Sequence, residues 1–101
     1  MVNLTKKIGD REFKYRGLTL IERAPLKDEI EFKVMRYIKQ INNDWSEAVS
    51  SALGLELSIK IVKQATELKD SDINELDEIT VKELAAVILN ETYVSKAEKK
   101  S

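Results

Sequence analysis

The chain contains no cysteine and no histidine. Without cysteine, neither a disulfide nor a thiolate–metal site can hold the fold. Without histidine, the usual proton shuttle and the commonest zinc ligand are missing. Three glycines and one proline are few, which predicts long regular elements rather than loops. The longest apolar run, Leu84-Ala85-Ala86-Val87-Ile88-Leu89, falls far short of the ~20 residues of a membrane span. Lys6 and Lys7 have no apolar run behind them, so this stretch does not read as a signal peptide. What is present is 101 residues, 43% apolar and 35% charged. That suffices for one core and is too balanced in charge for a disordered tail. The expectation is a single soluble intracellular domain over residues 1–101, with no membrane partner.

The net charge of −1 hides an uneven layout. Residues 1–16 carry Lys6, Lys7, Arg11, Lys14 and Arg16 against Asp10 and Glu12, a local +3. Residues 67–83 carry a local −5, with Asp70, Asp72, Glu75, Asp77 and Glu78 at its centre. Such asymmetry can guide one copy onto the next over a Debye length of ~8–10 Å. The plainer reading of any one cluster is ordinary solvated surface.

The chain opens as β. Leu4–Ile8 and Arg11–Tyr15 flank Gly9-Asp10, a two-residue hairpin loop with glycine first. That loop pairs Ile8 with Arg11, Lys6 with Phe13 and Leu4 with Tyr15. Leu4, Ile8, Phe13 and Tyr15 then share one face, and Thr5, Lys7, Glu12 and Lys14 the other. The hairpin occupies about residues 4–16. Leu18–Ile21 reads as a third short strand or a lead-in.

Helix is expected over about residues 26–95. Pro25 suits a first turn, and Leu26, Ile30, Val34, Tyr37, Ile38 and Ile41 fall within about 120° of one another on a helical wheel. Phe32 and Met35 fall off that stripe, either as harmless exposed side chains or as a second contact surface. Asp44 can cap the next helix, from Trp45 to Gly54, with Glu47 at the capping-box position. Leu55–Ile61 alternates as a strand would, but Ala52-Leu53 before it and Val62–Leu68 after it favour helix. Ser71 can cap a short helix through Ile73 and Leu76. Thr80-Val81-Lys82-Glu83 reads as a capping box opening a last helix, with Leu84, Val87 and Ile88 facing in. Residues 96–101 are a polar end expected to fray. The predicted class is α+β, mainly α: a hairpin followed by three to four helices.

Catalytic chemistry finds little to work with. Ser58 near Lys60 or Lys63 is ordinary helix surface rather than a dyad. Asp70-Ser71-Asp72-Ile73-Asn74 begins like a calcium loop, but Glu75 stands where glycine is required and Val81 where glutamate is required. Gly9, Gly17 and Gly54 are too scattered for a phosphate loop. No catalytic, cofactor-binding or metal site is therefore expected. A small nucleic-acid-binding regulator using the basic hairpin is an alternative reading, as is a generic protein adaptor. The first is disfavoured because a handful of basic residues, partly offset by acids, makes a poor phosphate footprint.

Lys7-Ile8-Gly9-Asp10-Arg11-Glu12-Phe13, followed by Arg16-Gly17-Leu18-Thr19-Leu20, resembles the opening of tail-assembly chaperones of long-tailed bacteriophages. These often begin with such a hairpin and a leucine–threonine–leucine segment, then continue as helices. The likeness covers residues 6–20; Gly17 departs from it, standing where proline is common. The resemblance implies a non-enzymatic chaperone that coats the tape-measure protein and recruits tail-tube subunits in the bacterial host cytoplasm. For such a role Phe32 and Met35 are the expected apolar partner-binding patch. Lys7, Lys14 and Arg16 would meet Asp72, Asp77 and Glu78 of a neighbouring copy head to tail, giving a homo-oligomer.

The stripe itself can be tested. Ile38→Ala should cost about 2–5 kcal/mol in denaturant melts, and Phe32→Ala much less, if Phe32 lies off the core. Equal losses would place the core on the other side of the helix.

Overall fold

Gly9 and Asp10 leave room only for a tight reversal, and Gly9 takes a left-handed φ of +63° that glycine meets without a Cβ clash. The computed structural model describes residues 4–30, 33, 47, 49 and 52–95. In it, β1 (Leu4–Ile8) pairs antiparallel with β2 (Arg11–Tyr15). The register is the one the turn predicts: Leu4 opposite Tyr15, Lys6 opposite Phe13, Ile8 opposite Arg11. Phe13 is buried, with Ile8 and Tyr15 packed against the core, whereas Thr5, Lys7, Glu12 and Lys14 are exposed. The Arg11 guanidinium lies 5.2 Å from the centre of the Phe13 ring, covering the edge of that core face.

Of the two readings of Leu18–Ile21, the lead-in holds and the third strand does not: Leu18 and Thr19 lead into a helical turn. Among the described residues the sheet has two strands, and Leu20–Arg23 forms α1. The cause is local. The Thr19 hydroxyl accepts from Glu22 N–H at 3.2 Å, and Glu22 accepts from Thr19 N–H at 2.9 Å. This reciprocal capping box outweighs the β preference of Leu18-Thr19-Leu20-Ile21. A 3₁₀ turn (Ala24–Leu26) containing Pro25 follows, then the short α2 (Lys27–Glu29). Helix thus begins before Pro25, not at it. Leu26 and Ile30 are buried, as the stripe requires. Its other members, together with Asp44 and Trp45, lie outside the described residues.

Leu55–Ala65 is helical, α3, despite its alternation. Ser58, Ile61, Val62 and Ala65 are buried on one face, the spacing of a helix stripe. The residue types of Val62–Leu68 favour helix throughout, but the helix stops at Ala65. The Thr66 hydroxyl donates to the Val62 carbonyl at 2.7 Å and accepts from Leu68 N–H at 3.2 Å, offering the chain a local alternative to the next helical turn.

Two further helix starts differ from expectation. Helix α4 (Asp70–Asn74) is preceded by Lys69, whose N–H donates to Asp72 at 2.9 Å, so Ser71 is not its cap. Helix α5 (Glu78–Asn90) begins ahead of Thr80, because Asp77 accepts from Thr80 N–H at 2.8 Å and a carboxylate is a stronger cap than a threonine hydroxyl. A π-helical turn, Glu91–Ser95, continues it.

Helices α3 and α5 pack extensively against each other through the core. Leu84, Ile88 and Leu89 of α5 are buried with Ile61, Val62, Phe13 and Leu18; Val87 is half-buried. The buried hydroxyls of Ser58, Thr66 and Thr92 each donate to the carbonyl four residues back, which satisfies them without a partner from another element. Thr92 does one thing more: its oxygen accepts the buried Leu18 N–H at 2.8 Å.

Thr92→Val removes that acceptor and strands the Leu18 N–H. The expected cost is about 1–3 kcal/mol, read as a lower denaturant midpoint. Thr92→Ser should retain most of the stability.

Candidate functional site

After β2 the chain must turn from sheet to helix across the end of α3, where the last carbonyls have no partners within the helix. Arg16 fills that gap. Its backbone N–H donates to Ala65 O at 3.0 Å, and its guanidinium donates to Gln64 O at 2.6 Å and Gly17 O at 3.0 Å. The same guanidinium meets both carboxylate oxygens of Glu22 at 2.7 Å. A cation at a helix C-terminus is favoured by the dipole, and a bidentate pair is among the stronger charge-assisted contacts. The Arg16 hydrogen bonds, aided by that from Thr19, hold the Glu22 carboxyl at about 2, down from 4.5. Because Glu22 also completes the α1 capping box, Arg16 orients α1 on the rest of the molecule.

That anchored turn carries the two most exposed large aliphatic side chains among the described residues. Leu20 is 76% exposed and Ile21 85%. Beside them Leu20, Arg23, Ala24, Lys27 and Tyr93 line a shallow cleft of about 320 Å³. Arg23 stacks over Tyr93 with its guanidinium carbon 4.6 Å from the ring centre, so the wall is apolar, aromatic and basic together. Such a surface suits another protein's apolar side chains set among acids.

Ile79, at the start of α5, is 70% exposed. Around it Glu75, Asp77 and Glu78 are exposed as well, and Glu78 pairs with Lys82 at 3.2 Å.

The residues singled out from sequence are not brought together as one surface. Phe32 and Met35 lie outside the described residues. Lys7 and Lys14 are exposed on the outer face of the hairpin, Lys7 across from Glu12 and Lys14 across from Thr5. Arg16 is turned inward onto Glu22 and the α3 carbonyls rather than outward to a neighbour. Asp72 serves the start of α4, while Asp77 and Glu78 stand at the start of α5. The hydrogen bonds from Thr80 hold the Asp77 carboxyl below its ordinary range.

Sequence reasoning missed Leu20 and Ile21, which looked like part of a strand. The signal that could have found them is Thr19 followed three residues later by Glu22, a capping box that makes both first-turn helical residues.

The Arg16–Glu22 pair has a pH signature. Glu22 has its pKa depressed on folding, so its contribution is present above about 4.5 and is lost as pH falls towards about 2. Glu22→Gln should cost about 1–2 kcal/mol near neutrality. The gap between wild type and variant should close across that acid window in urea melts followed at successive pH values. No family model, curated protein or solved structure matches the chain.

Proposed function

We propose that this chain is a protein-binding chaperone of the phage tail-assembly type, non-enzymatic, which coats a tape-measure protein and helps recruit tail-tube subunits. The observation that carries the reading is the exposed Leu20–Ile21 pair. It stands at and just beyond the end of the segment whose residues resemble that family, on a turn pinned by Arg16. A chaperone for a long helical client needs apolar surface that stays open until the client arrives, on a frame that does not collapse over it. Two large aliphatic side chains, 76% and 85% exposed, beside a cleft with Arg23 and Tyr93, meet that need. The client segment suited to it is an amphipathic helix whose apolar stripe is edged by acids, placing carboxylates opposite Arg23 and Lys27.

Co-expression with the tape-measure protein of the same gene cluster tests this. The client should stay in the supernatant and co-purify with the chain. Ile21→Asp should cut the recovered client severalfold while leaving the chain's own melting temperature unchanged. Phe32→Asp, run in parallel, tests the other expected patch. A client equally soluble with and without the chain, neither retaining the other, removes the chaperone reading.

A further inference from the structure

The hairpin is a two-stranded sheet, whose inner face is covered by the core and whose edges are left to be accounted for. In a hairpin closed by a two-residue loop, the residues flanking the loop, here Ile8 and Arg11, exchange backbone hydrogen bonds. Counting by twos from there, the backbone groups of Thr5 and Lys7 on β1, and of Glu12 and Lys14 on β2, point away from the partner strand. Among the described residues no backbone hydrogen bond reaches Glu12 or Lys14 from outside the hairpin. The next outward N–H on that edge, from Arg16, is taken by Ala65 O at 3.0 Å. The edge of β2 is therefore open along the strand and closed where α3 ends.

We propose that β2 pairs antiparallel with β2 of a second copy, about a two-fold axis at Phe13, so that two hairpins close into one four-stranded sheet. Charge chooses the register. Centred on Glu12 or on Lys14, the pairing would set that side chain against its own copy. Centred on Phe13, it sets Glu12 opposite the partner's Lys14 on both sides of the axis, and Arg11 opposite the partner's Tyr15. Glu12 already faces Lys7 within its own hairpin, so across the outer face each carboxylate then lies between two lysines. On the inner face, Arg11 already lies over one ring, 5.2 Å from the centre of Phe13. Tyr15 of the partner offers it another, beside the Glu91 carboxylate. Fully overlapped with its own copy, β1 would instead oppose Lys6 to Lys6, and β1 runs against α5. A two-fold contact uses the same patch on both copies, so it stops at a dimer. An edge of five residues belongs with the small, reversible interfaces below ~1,200 Å². The pairing uses neither Leu20 nor Ile21 and does not rest on the client reading.

Sedimentation velocity of the purified full chain tests the stoichiometry, and amide hydrogen exchange followed by NMR tests the edge. As concentration rises, the wild type should pass from monomer to dimer with no larger species. The Glu12 and Lys14 amides, which face water in the monomer, should exchange severalfold more slowly as the dimer forms, while those of Thr5 and Lys7 stay unchanged. Lys14→Glu sets a carboxylate against the partner's Glu12, so it should remain monomeric with the circular dichroism spectrum of the wild type. Glu12→Lys should be monomeric for the converse reason. Mixed in equal amounts, the two variants oppose unlike charges once more, and the dimer should return. Should Glu12→Lys lose its fold, because it also faces Lys7 in its own hairpin, Lys14→Glu and the wild-type amide exchange decide between them. A wild type that is monomeric at every concentration, species beyond the dimer, or Glu12 and Lys14 amides that exchange equally fast throughout would overturn the proposal. So would a mixture of the two folded variants that stays monomeric. None of these outcomes alters the co-expression result, which stands or falls on its own.

Discussion

A guanidinium offers five donors and no acceptor, and at Arg16 those donors reach pieces of chain that no covalent link brings together. Gln64 and Glu22 are far apart in sequence, yet both bond to this one side chain within 2.7 Å. The α3 carbonyls would otherwise face the core boundary without partners, a cost that grows as water is excluded. The Glu22 carboxylate in turn would hold only its own helix start. With Arg16 between them, the end of α3 and the beginning of α1 become one rigid corner. The partner-facing aliphatics are mounted on that corner, so the contact that stabilises the junction also sets the direction in which the surface points.

A second tie secures the other end of the same strap. Leu18 is buried at 1% exposure, and its N–H is held by Thr92. Between the two ties Gly17 lies so close to the end of α5 that an added Cβ would stand 3.4 Å from Glu91 Cγ and Thr92 Oγ1. That contact is tight without being forbidden, and it shows how near the strap runs to the helix it crosses. Tyr15, just before it, has its phenol pushed above the ordinary value by burial and then by the Glu91 carboxylate. Residues 15–18 thus read the end of α5 as well as the end of α3, and the hairpin, α1 and both long helices share one junction.

The exposed aliphatics also have a common cause. Leu20 and Ile21 occupy the first turn of α1, Ile79 the first turn of α5 and Leu55 the first position of α3. Thr19 and Asp77 cap two of these helices through their side chains. A cap fixes where a helix starts without regard to what the first two side chains cover. Residues just inside the cap then stand at the rim of the packed layer, with the stripe that faces the core beginning further along. Burial of Val81 behind Ile79 and of Leu26 beyond Ile21 follows that pattern. Capping chemistry, usually a matter of stability, here also chooses which apolar groups are left for a partner.

The hairpin was legible residue by residue, because a two-residue loop with glycine first dictates register and register dictates faces. The helix over Leu55–Ala65 was legible from its neighbours, although alternation argued otherwise, since apart from Gly54 the chain offered no turn residues to bracket a strand. Helix starts were less so: Thr80 and Ser71 are good caps in isolation, and only the competing hydrogen bonds of Asp77 and Asp72 decide against them. The amino-acid sequence by itself therefore determined the elements whose bonds are local, the hairpin and the amphipathic stripes, along with the lack of histidine and cysteine chemistry. Tertiary structure alone decided that Arg16 turns inward and that Leu20 and Ile21 remain outside. The partners of Arg16 at Gln64 and Ala65 lie far along the chain, and exposure depends on what packs above a residue, which no local pattern contains.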